Sequence, residues 1–283
     1  MRRLGVHTSI AAGLHLSLER AYALGCNTLQ IFSHNPRGWA VKTMTERDVS
    51  LFKSLRMRFG ISPVYIHTSY LINMASKDIV LRKKSIDLLV TEMNRADAVG
   101  ADYVILHTGS AALDDERIAR ERAINALIQV SKMGNWQAGL LIENTAGKRG
   151  DISSRITDLA EIMNGVREPL ISGVCFDTCH AYAAGYDIRD EFGIQALSNK
   201  IEKHTGADKI KLIHLNDSKG DIGSHIDRHE HIGRGRIGGK GLSQFINCEP
   251  LRHVPLILET PKKKEADDAM NLENVRKMIR MKR

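Results

Sequence analysis

Six short apolar segments of this chain each end in a histidine, an aspartate or a glutamate, the side chains that most often bind metal ions or transfer protons. Short runs of branched and aromatic residues are typical of strands buried on both faces. A polar residue that ends such a run lies where the strand leaves the core. The segments, which recur at similar intervals, are VYIH (64–67), YVILH (103–107), LLIE (140–143), VCFD (174–177), KLIH (211–214) and LILE (256–259).

Nine residues of this kind form a candidate metal-binding set. Six of them end the apolar segments, and three more follow the fourth and fifth segments. His180 comes three residues after Asp177, whereas Asp227 and His229 form an Asp-x-His pair whose side chains point the same way in an extended chain. The predicted ligands are His67, His107, Glu143, Asp177, His180, His214, Asp227, His229 and Glu259.

The composition of this set, five histidines and four carboxylates, favours metal binding over nine separate structural roles. Taken singly, such a residue commonly caps a strand or the next helix. Four carboxylates at one site repel one another, however, and each resists ionisation without a counter-charge. Divalent cations supply that charge, and mixed imidazole and carboxylate ligands suit zinc or another borderline first-row ion. Nine ligands suit two or three ions, whose surplus positive charge would favour an anionic substrate.

The remaining segments indicate how the six ends could meet. Two further strand-like runs, LGVH (4–7) and TLQIF (28–32), bring the total to eight. Strand and helix patterns alternate, which predicts an α/β fold with parallel strands: a single (β/α)8 TIM-barrel domain over residues 1–283. In such barrels the active site lies at the C-terminal ends of the strands. The alternative, a doubly wound open sheet, would spread the six residues along an edge.

Helical periodicity fills the intervals between these strands. Thr45 is the predicted N-cap of one helix, with Asp48 three residues later and Gly60 at its end. Ser76 is predicted to begin the next helix, which Gly100 ends. The predicted helical segments are 45–60, 76–100, 114–133, 153–164, 190–203 and 264–280.

Composition narrows the class of protein further. Lys and Arg outnumber Asp and Glu by 41 to 33, and basic residues near the strand ends would attract a polyanion. The four cysteines include no CxxC pair, so we expect reduced thiols rather than disulfides or zinc ligands. Neither a signal peptide nor a membrane-spanning stretch is evident. We therefore expect a cytoplasmic protein that does not bind membranes, and we take a monomer as the default.

Three loops at the predicted barrel mouth carry residues suited to nucleic acid. The segment 216–241 has seven glycines, which let backbone approach a ligand, and five Lys or Arg residues, which suit phosphates. We predict little regular structure there and a functional role, since loops of this length are uncommon inside a compact domain. In the loops FSHNPRGW (32–39) and HTSYLIN (67–73), Arg37 and Tyr70 are candidates for wedging or stacking against bases.

These motifs together closely resemble the endonuclease IV family, the zinc-dependent apurinic/apyrimidinic (AP) endonucleases of AP endonuclease family 2. The resemblance extends over residues 4–261 and includes all nine predicted ligands. Its most specific stretches are FDTCHAYAAGYD (176–187) and DRHEHIGRGRIG (227–238), and it also includes GVHTSIAAGL, NPRGW, HTSYLIN, ILHTGS, LIENTAG and LILETP.

The resemblance implies a site for three Zn²⁺ ions per chain. Spacing alone would assign Asp177 and His180 to one ion, but the resemblance divides them. The implied sets are His67, His107 and Glu143 for the first zinc; Glu143 as a bridge with Asp177, His214 and Glu259 for the second; and His180, Asp227 and His229 for the third.

The activity implied by the resemblance is repair of double-stranded DNA. The family cleaves the phosphodiester bond 5′ to an abasic site, giving a 3′-hydroxyl and a 5′ deoxyribose phosphate, and trims blocked 3′ ends as a 3′-phosphodiesterase. A metal-bound hydroxide would be the nucleophile, with Glu143 and Glu259 as catalytic residues. The compartment would be the cytoplasm, at the nucleoid in a prokaryote.

Residues of the mouth loops are the predicted DNA contacts. Extruding an abasic nucleotide is easier than flipping an intact one, because no base has to be unstacked. By resemblance, Arg37 and Tyr70 would occupy the resulting gap and Asn35 would contact the DNA backbone. The predicted DNA-binding residues are Asn35, Arg37, Tyr70, Lys219 and Arg228.

Two other functions compete with this one. A sugar isomerase or epimerase on a related barrel also uses histidines and carboxylates at strand ends, but around one or two divalent ions and without a basic mouth. A non-catalytic binder of damaged DNA would be expected to lack a ligand, and none is missing here.

Overall fold

The computed structural model describes residues 2–167 and 169–280. Its main sheet has eight parallel strands in the order β1-β10-β7-β6-β5-β4-β3-β2. These strands are β1 (Leu4–Val6), β2 (Leu29–Phe32), β3 (Val64–His67), β4 (Tyr103–Leu106), β5 (Gly139–Glu143), β6 (Ile171–Asp177), β7 (Ile210–His214) and β10 (Leu256–Leu258). Two further strands, β8 (Asp217–Ser218) and β9 (His229–Glu230), form a separate antiparallel ribbon.

Strands β1 and β2, at the two ends of this order, meet and close the barrel. His7 and Gln30 form a parallel bridge between them. The Thr8 N–H donates to the Gln30 carbonyl at 2.9 Å, and the Asn27 N–H donates to the Leu4 carbonyl at 3.2 Å. The predicted (β/α)8 TIM barrel is therefore confirmed, and the open doubly wound sheet is wrong.

Helices lie between the strands, and all six predicted helical segments contain one. Three helices, α1, α6 and α8, were not predicted, because α1 and α6 are short and α8 begins with two glycines, which disfavour helices. Among the described residues, no helix is long and apolar enough to cross a membrane. The helices are α1 (Leu16–Ala23), α2 (Glu46–Phe59), α3 (Ile79–Val99), α4 (Glu116–Ser131), α5 (Ile156–Gly165), α6 (Thr178–Ala183), α7 (Glu191–His204), α8 (Gly238–Ile246) and α9 (Asp267–Arg280).

The helix starts follow local hydrogen bonding. Thr45 and Asp48 form the predicted capping box of α2, and Gly60 ends that helix in the left-handed conformation with φ 63°. Ser76, however, does not begin α3. The N-cap is Asp78, whose carboxylate accepts the N–H groups of the first turn, so the prediction was two residues early.

The barrel interior contains one cluster of six buried side chains that point inward. Side chains alternate along a strand, so the residue two positions later on each of these strands also points inward. The six residues found there are the strand-ending histidines and carboxylates of the sequence pattern. The cluster, called here the barrel floor, consists of Tyr65, Ile105, Leu141, Cys175, Leu212 and Ile257.

Closure of the barrel requires a glycine at position 5. A Cβ atom there would lie 2.1 Å from the Thr28 carbonyl oxygen on the adjoining strand, and that backbone cannot give way without breaking the pairing. We expect Gly5→Ala to lower the free energy of unfolding by about 2 kcal/mol, measured by urea denaturation.

The matched control for this variant is Gly239→Ala in α8, where the nearest atom to an added Cβ is 3.4 Å away. We expect Gly239→Ala to change the stability little. Equal denaturation midpoints for the two variants would show that β1 can move away from β2 at no cost.

Candidate metal centre

A cavity of about 790 Å³ opens at the C-terminal ends of the barrel strands. Its walls include His67, His107, His180, Asp227, His229 and Glu259. Glu143, Asp177 and His214 lie deeper and are fully buried. All nine predicted ligands are therefore at the end of the barrel where the sequence pattern placed them.

The nine side chains form three adjoining groups. In each group, one ligand atom of every residue lies within 4.8 Å of those of the others. Glu143 belongs to two groups, and Asp177 and His180 fall in different ones. The groups are His67, His107 and Glu143; Glu143, Asp177, His214 and Glu259; and His180, Asp227 and His229.

Glu143 joins the first two groups through its two carboxylate oxygens. Oε2 lies 3.3 Å from His67 Nε2 and 3.0 Å from His107 Nε2. Oε1 lies 3.0 Å from His214 Nδ1. A carboxylate with one oxygen in each group could hold a metal ion in both of them.

Asp177 and His180 separate because a helix begins between them. The Asp177 carboxylate accepts the His180 N–H at 2.7 Å and so caps α6. The first turn of α6 then carries the His180 ring towards Asp227, where Nε2 lies 3.1 Å from Oδ1. The i, i+3 spacing of the two residues therefore does not place them on one ion.

Two ligand atoms in these groups are buried without a hydrogen-bond partner in the part of the chain that the structure describes: Glu143 Oε2 and His229 Nε2. Native structures seldom leave buried polar atoms unsatisfied, because each costs free energy. A bound cation would satisfy both atoms, so the donor set fits metal ions.

Three of the histidines are oriented by backbone carbonyl groups. A carbonyl oxygen only accepts, so the facing Nδ1 must carry the proton, and the Nε2 lone pair is left for the cluster. The contacts are His67 Nδ1 to Thr68 O at 2.9 Å, His180 Nδ1 to Asn144 O at 2.9 Å and His229 Nδ1 to Glu259 O at 3.0 Å.

His214 is held through Nε2 instead of Nδ1, by the buried amide of Gln30. Gln30 Nε2 donates to Glu259 Oε1 at 2.6 Å, and its Oε1 lies 2.6 Å from His214 Nε2. Because a carboxylate only accepts, the amide nitrogen must face Glu259 and the amide oxygen must face His214. His214 therefore carries a proton on Nε2, which leaves Nδ1, 3.0 Å from Glu143 Oε1, as the ring atom that would hold a metal ion.

Neither Gln30 nor His7, whose Nδ1 lies 2.9 Å from Gln30 Nε2, was among the predicted site residues. His7 ends the run LGVH just as the six predicted ligands end theirs, so the pattern contained that signal. Gln30 lies within β2, where strand alternation directs it inward. Only the two-residue period along the strand could have identified it.

The groups are electrostatically coupled. Burial alone would raise the pKa of Glu143, but the neighbouring His214 holds that pKa well below its usual range. Burial alone would lower the pKa of His180, but Asp177 and Asp227 raise it well above its ordinary value. Glu143 therefore stays charged, and a metal ion that binds His180 has to displace a proton from its imidazole.

Two cysteines lie within reach of these groups. Cys175 is near Glu143 and His214, and Cys179 is near Asp177 and His229. Burial raises the pKa of each thiol to about 12. Metals bind the thiolate, so protonated thiols leave the imidazoles and carboxylates as the better donors.

The glycine-rich loop is folded around the fully buried Asp217. The carboxylate of Asp217 accepts five backbone N–H groups, those of Ser218, Gly233, Gly235, Ile237 and Gly238, at 2.9–3.2 Å. Most of this segment has no regular structure, as predicted, but it also contains the short β8–β9 ribbon and the start of α8. These N–H groups face a carboxylate inside the protein, so they are not free for phosphate.

The predicted DNA contacts surround the metal groups. Asn35 and Tyr70 line the main cavity, and Arg37 is exposed in the same loop as Asn35. Lys219 and Arg228 line a smaller depression of about 340 Å³ that also includes Asp227, His229 and Glu259. All five residues therefore lie on the mouth side of the barrel.

Comparison with known proteins agrees with the barrel fold and with the family that the sequence motifs resemble. A family profile described as xylose isomerase-like TIM barrel matches residues 18–281. "Probable endonuclease 4" of Methanosphaerula palustris is 40% identical over 281 residues, 98% of each chain. Its counterpart in Halothermothrix orenii is 43% identical over 275 residues, covering 96% of this chain and 98% of the relative.

Solved structures agree. Endonuclease IV from Thermus thermophilus matches with a TM-score of 0.87 and 35% identity over 99% of both chains. A D-tagatose 3-epimerase-like protein matches with a TM-score of 0.72 but 17% identity, which shows a shared fold only.

The Gln30 amide should matter for metal affinity. We expect Gln30→Leu to weaken zinc binding about tenfold to a hundredfold, because residues that orient metal ligands typically contribute that much. The measurement is titration of metal-free protein with Zn²⁺ in competition with a chelating dye.

Gln195→Leu on the exposed face of α7 is the control, and it should bind zinc like the wild type. Wild-type zinc affinity in folded Gln30→Leu would show that His214 needs no partner for its Nε2–H.

Proposed function

Since the chain belongs to the endonuclease IV family of nucleases, we propose that it is a metal-dependent DNA-repair endonuclease that cuts the phosphodiester bond 5′ to abasic sites. One observation supports this most strongly. Three adjoining histidine and carboxylate groups lie in the walls of one cavity and directly beneath it, and basic and aromatic loop residues surround its mouth. That combination suits hydrolysis of a polyanion.

We propose zinc as the metal, with one ion for each group. The donors are imidazoles and carboxylates, and the buried thiols remain protonated, which suits a borderline ion. When bound, such ions polarise a phosphate and lower the pKa of water to near neutrality. We assign Glu143 and Glu259 the catalytic role, because Glu143 joins two groups and Glu259 faces the cavity.

The residues around the metal groups have defined parts in this reaction. Glu143 holds two groups at a fixed separation, and the carbonyl groups and Gln30 keep the histidine rings oriented for metal binding. Hydrolysis breaks the bond between phosphorus and the 3′ oxygen, giving a 3′-hydroxyl and a 5′ deoxyribose phosphate. The same hydrolysis removes blocking groups from 3′ ends, so we propose 3′-phosphodiesterase trimming as well.

Recognition of the abasic site depends on the mouth loops. Tyr70 is 65% exposed and Arg37 is exposed beside it, so both are free to enter the space that a missing base leaves. Asn35, Lys219 and Arg228 would contact the DNA backbone. We further propose a monomer, since one chain supplies the whole site. We also propose a cytoplasmic location.

The activity assay uses a duplex with one synthetic abasic site. We expect zinc-loaded protein to cut it once, on the 5′ side, and to contain about three zinc ions per chain. Glu143→Gln and Glu259→Gln should lose most incision, about a hundredfold or more, because each removes a charged metal ligand. The measurements are product sizes on a denaturing gel and zinc content by mass spectrometry.

Glu121→Gln on the exposed surface of α4 is the matched control and should cut normally. If either site variant incised DNA at the wild-type rate, the catalytic assignment would be wrong. One or two exchangeable magnesium or manganese ions, with no incision, would instead favour a sugar isomerase.

Arg37→Ala and Tyr70→Ala should each weaken binding to abasic duplex by about 1–3 kcal/mol, because each removes a side chain that fills the gap in the stack. Zinc content should not change. The measurement is fluorescence anisotropy with labelled abasic duplex.

Arg117→Ala and Tyr22→Ala remove the same side-chain types from exposed positions on α4 and α1, and we expect them to bind normally. Unchanged affinity for abasic duplex in Arg37→Ala and Tyr70→Ala would show that these side chains only pack within their loops.

A further inference from the structure

We propose that Glu92, a buried carboxylate on α3, is a positioning residue that fixes the two recognition loops relative to one another. The inference rests on the proposed function, because it concerns loops that we assign to DNA binding. The group of residues involved is called here the loop clamp, and it consists of Ser33, His34, Ser69, Glu92 and Arg95.

Glu92 departs from the pattern of its helix. The buried face of α3 is otherwise almost entirely apolar and includes Leu88, Leu89, Met93 and Ala96. Glu92 on this face is only 1% exposed. A buried carboxylate is costly unless its oxygens are well hydrogen-bonded, so its partners indicate its purpose.

Those partners come from two different loops. Glu92 Oε2 accepts the Ser33 hydroxyl at 2.6 Å, and Oε1 accepts His34 Nε2–H at 2.9 Å. Oε1 also accepts the backbone N–H of Ser69 at 3.1 Å. Ser33 and His34 begin the loop after β2, whereas Ser69 begins the loop after β3. One carboxylate therefore holds the starts of both loops.

Arg95, one turn further along α3, holds the first loop at a second point. Its Nε donates to the Ser33 hydroxyl at 3.1 Å, and its Nη1 donates to the Lys42 carbonyl at 2.9 Å. The Ser33 hydroxyl thus accepts from Arg95 while it donates to Glu92. The loop between Ser33 and Lys42 is fixed at both ends by a single helix.

The two loops also contact each other beside the recognition residues. The Ser69 hydroxyl donates to the Pro36 carbonyl at 2.7 Å, one residue before Arg37 and one residue before Tyr70. The Tyr70 ring packs edge-on against Phe32, with centroids 5.2 Å apart. Each recognition residue is therefore within one residue of a contact that the loop clamp supports.

In this arrangement the residues that position the DNA-binding loops are distinct from those that would bind metal and catalyse hydrolysis. None of the clamp residues is among the nine proposed metal ligands, so loss of the clamp should leave the metal groups intact. Loops that are ordered before DNA arrives bind more tightly, because less conformational freedom is lost on association. The clamp should therefore affect the affinity for abasic DNA and the KM, and leave kcat almost unchanged.

The first test is Glu92→Leu, which leaves three buried donors from the two loops without an acceptor. We expect it to weaken binding to abasic duplex about tenfold or more, with zinc content and kcat at saturating DNA within about twofold of the wild type. Glu92→Gln keeps an acceptor for His34 and Ser69, and the Ser33 hydroxyl can reverse its bond. We expect a loss of less than about threefold for Glu92→Gln.

A double-mutant cycle with Arg37→Ala distinguishes positioning from general destabilisation. If the clamp places Arg37, removing the Arg37 side chain should matter less once Glu92 is leucine, so the two losses should not add. Val99→Ala, at the other end of α3, is the control for stability, since Val99 is buried near Ile61 and Ser62 beneath the barrel. It should lower the melting temperature without changing DNA affinity.

Each result of these tests either supports or overturns the role of Glu92 in positioning the loops. Additive losses in the cycle, or wild-type affinity in folded Glu92→Leu, would overturn the inference. Should Glu92→Leu fail to fold, Ser33→Ala, which removes the hydroxyl bound by Glu92 and Arg95, replaces it in the same cycle, and additivity there would also overturn the inference. Failure of the proposed function is a separate result, because wild-type protein would then neither bind nor cut abasic duplex.

Discussion

Side chains alternate in direction along a strand, and in a closed barrel of parallel strands this alternation stacks one ring of side chains upon another. The site depends on that constraint. Six strands contribute a buried residue to the barrel floor and, two positions later, a histidine or carboxylate to the cavity. The apolar floor beneath and the open mouth above thus follow from a single periodicity. Glu143 lies fully buried directly above the floor, and its charge is balanced by the imidazoles around it.

The same periodicity explains how much of the site the sequence could predict. A short strand with a polar end is a local pattern, so the fold class, the eight barrel strands and the six candidate ligands at strand ends were predictable from neighbouring residues. The division of the ligands was not derivable from spacing, because α6 begins between Asp177 and His180 and rotates one away from the other. That division came from the family resemblance, and the three groups in the structure have the same membership.

Polar residues with distant partners were beyond local reasoning. Gln30 contacts Glu259 and His214, which are 229 and 184 residues away in the chain. Glu92 and Asp217 looked like ordinary helix and loop residues, yet each is a buried acceptor for three or more donors from loops. Their shared role has a physical cause. Loops lack the regular hydrogen bonds of helices and strands, so a buried carboxylate is an efficient way to satisfy and fix their backbone. Asp217 orders the basic loop and Glu92 the two recognition loops.

The barrel floor has a kinetic consequence. Its six buried side chains fill the barrel below the cavity, and Tyr65 stacks on Tyr103 at the far end, with centroids 5.6 Å apart. The cavity therefore opens at the mouth, which is the surface that DNA would cover. A bound duplex would cover this opening, so a metal ion held in the cavity would leave mainly between binding events. Resistance to chelators would then be a property of the complex with substrate, and the resting enzyme would be the form vulnerable to metal loss.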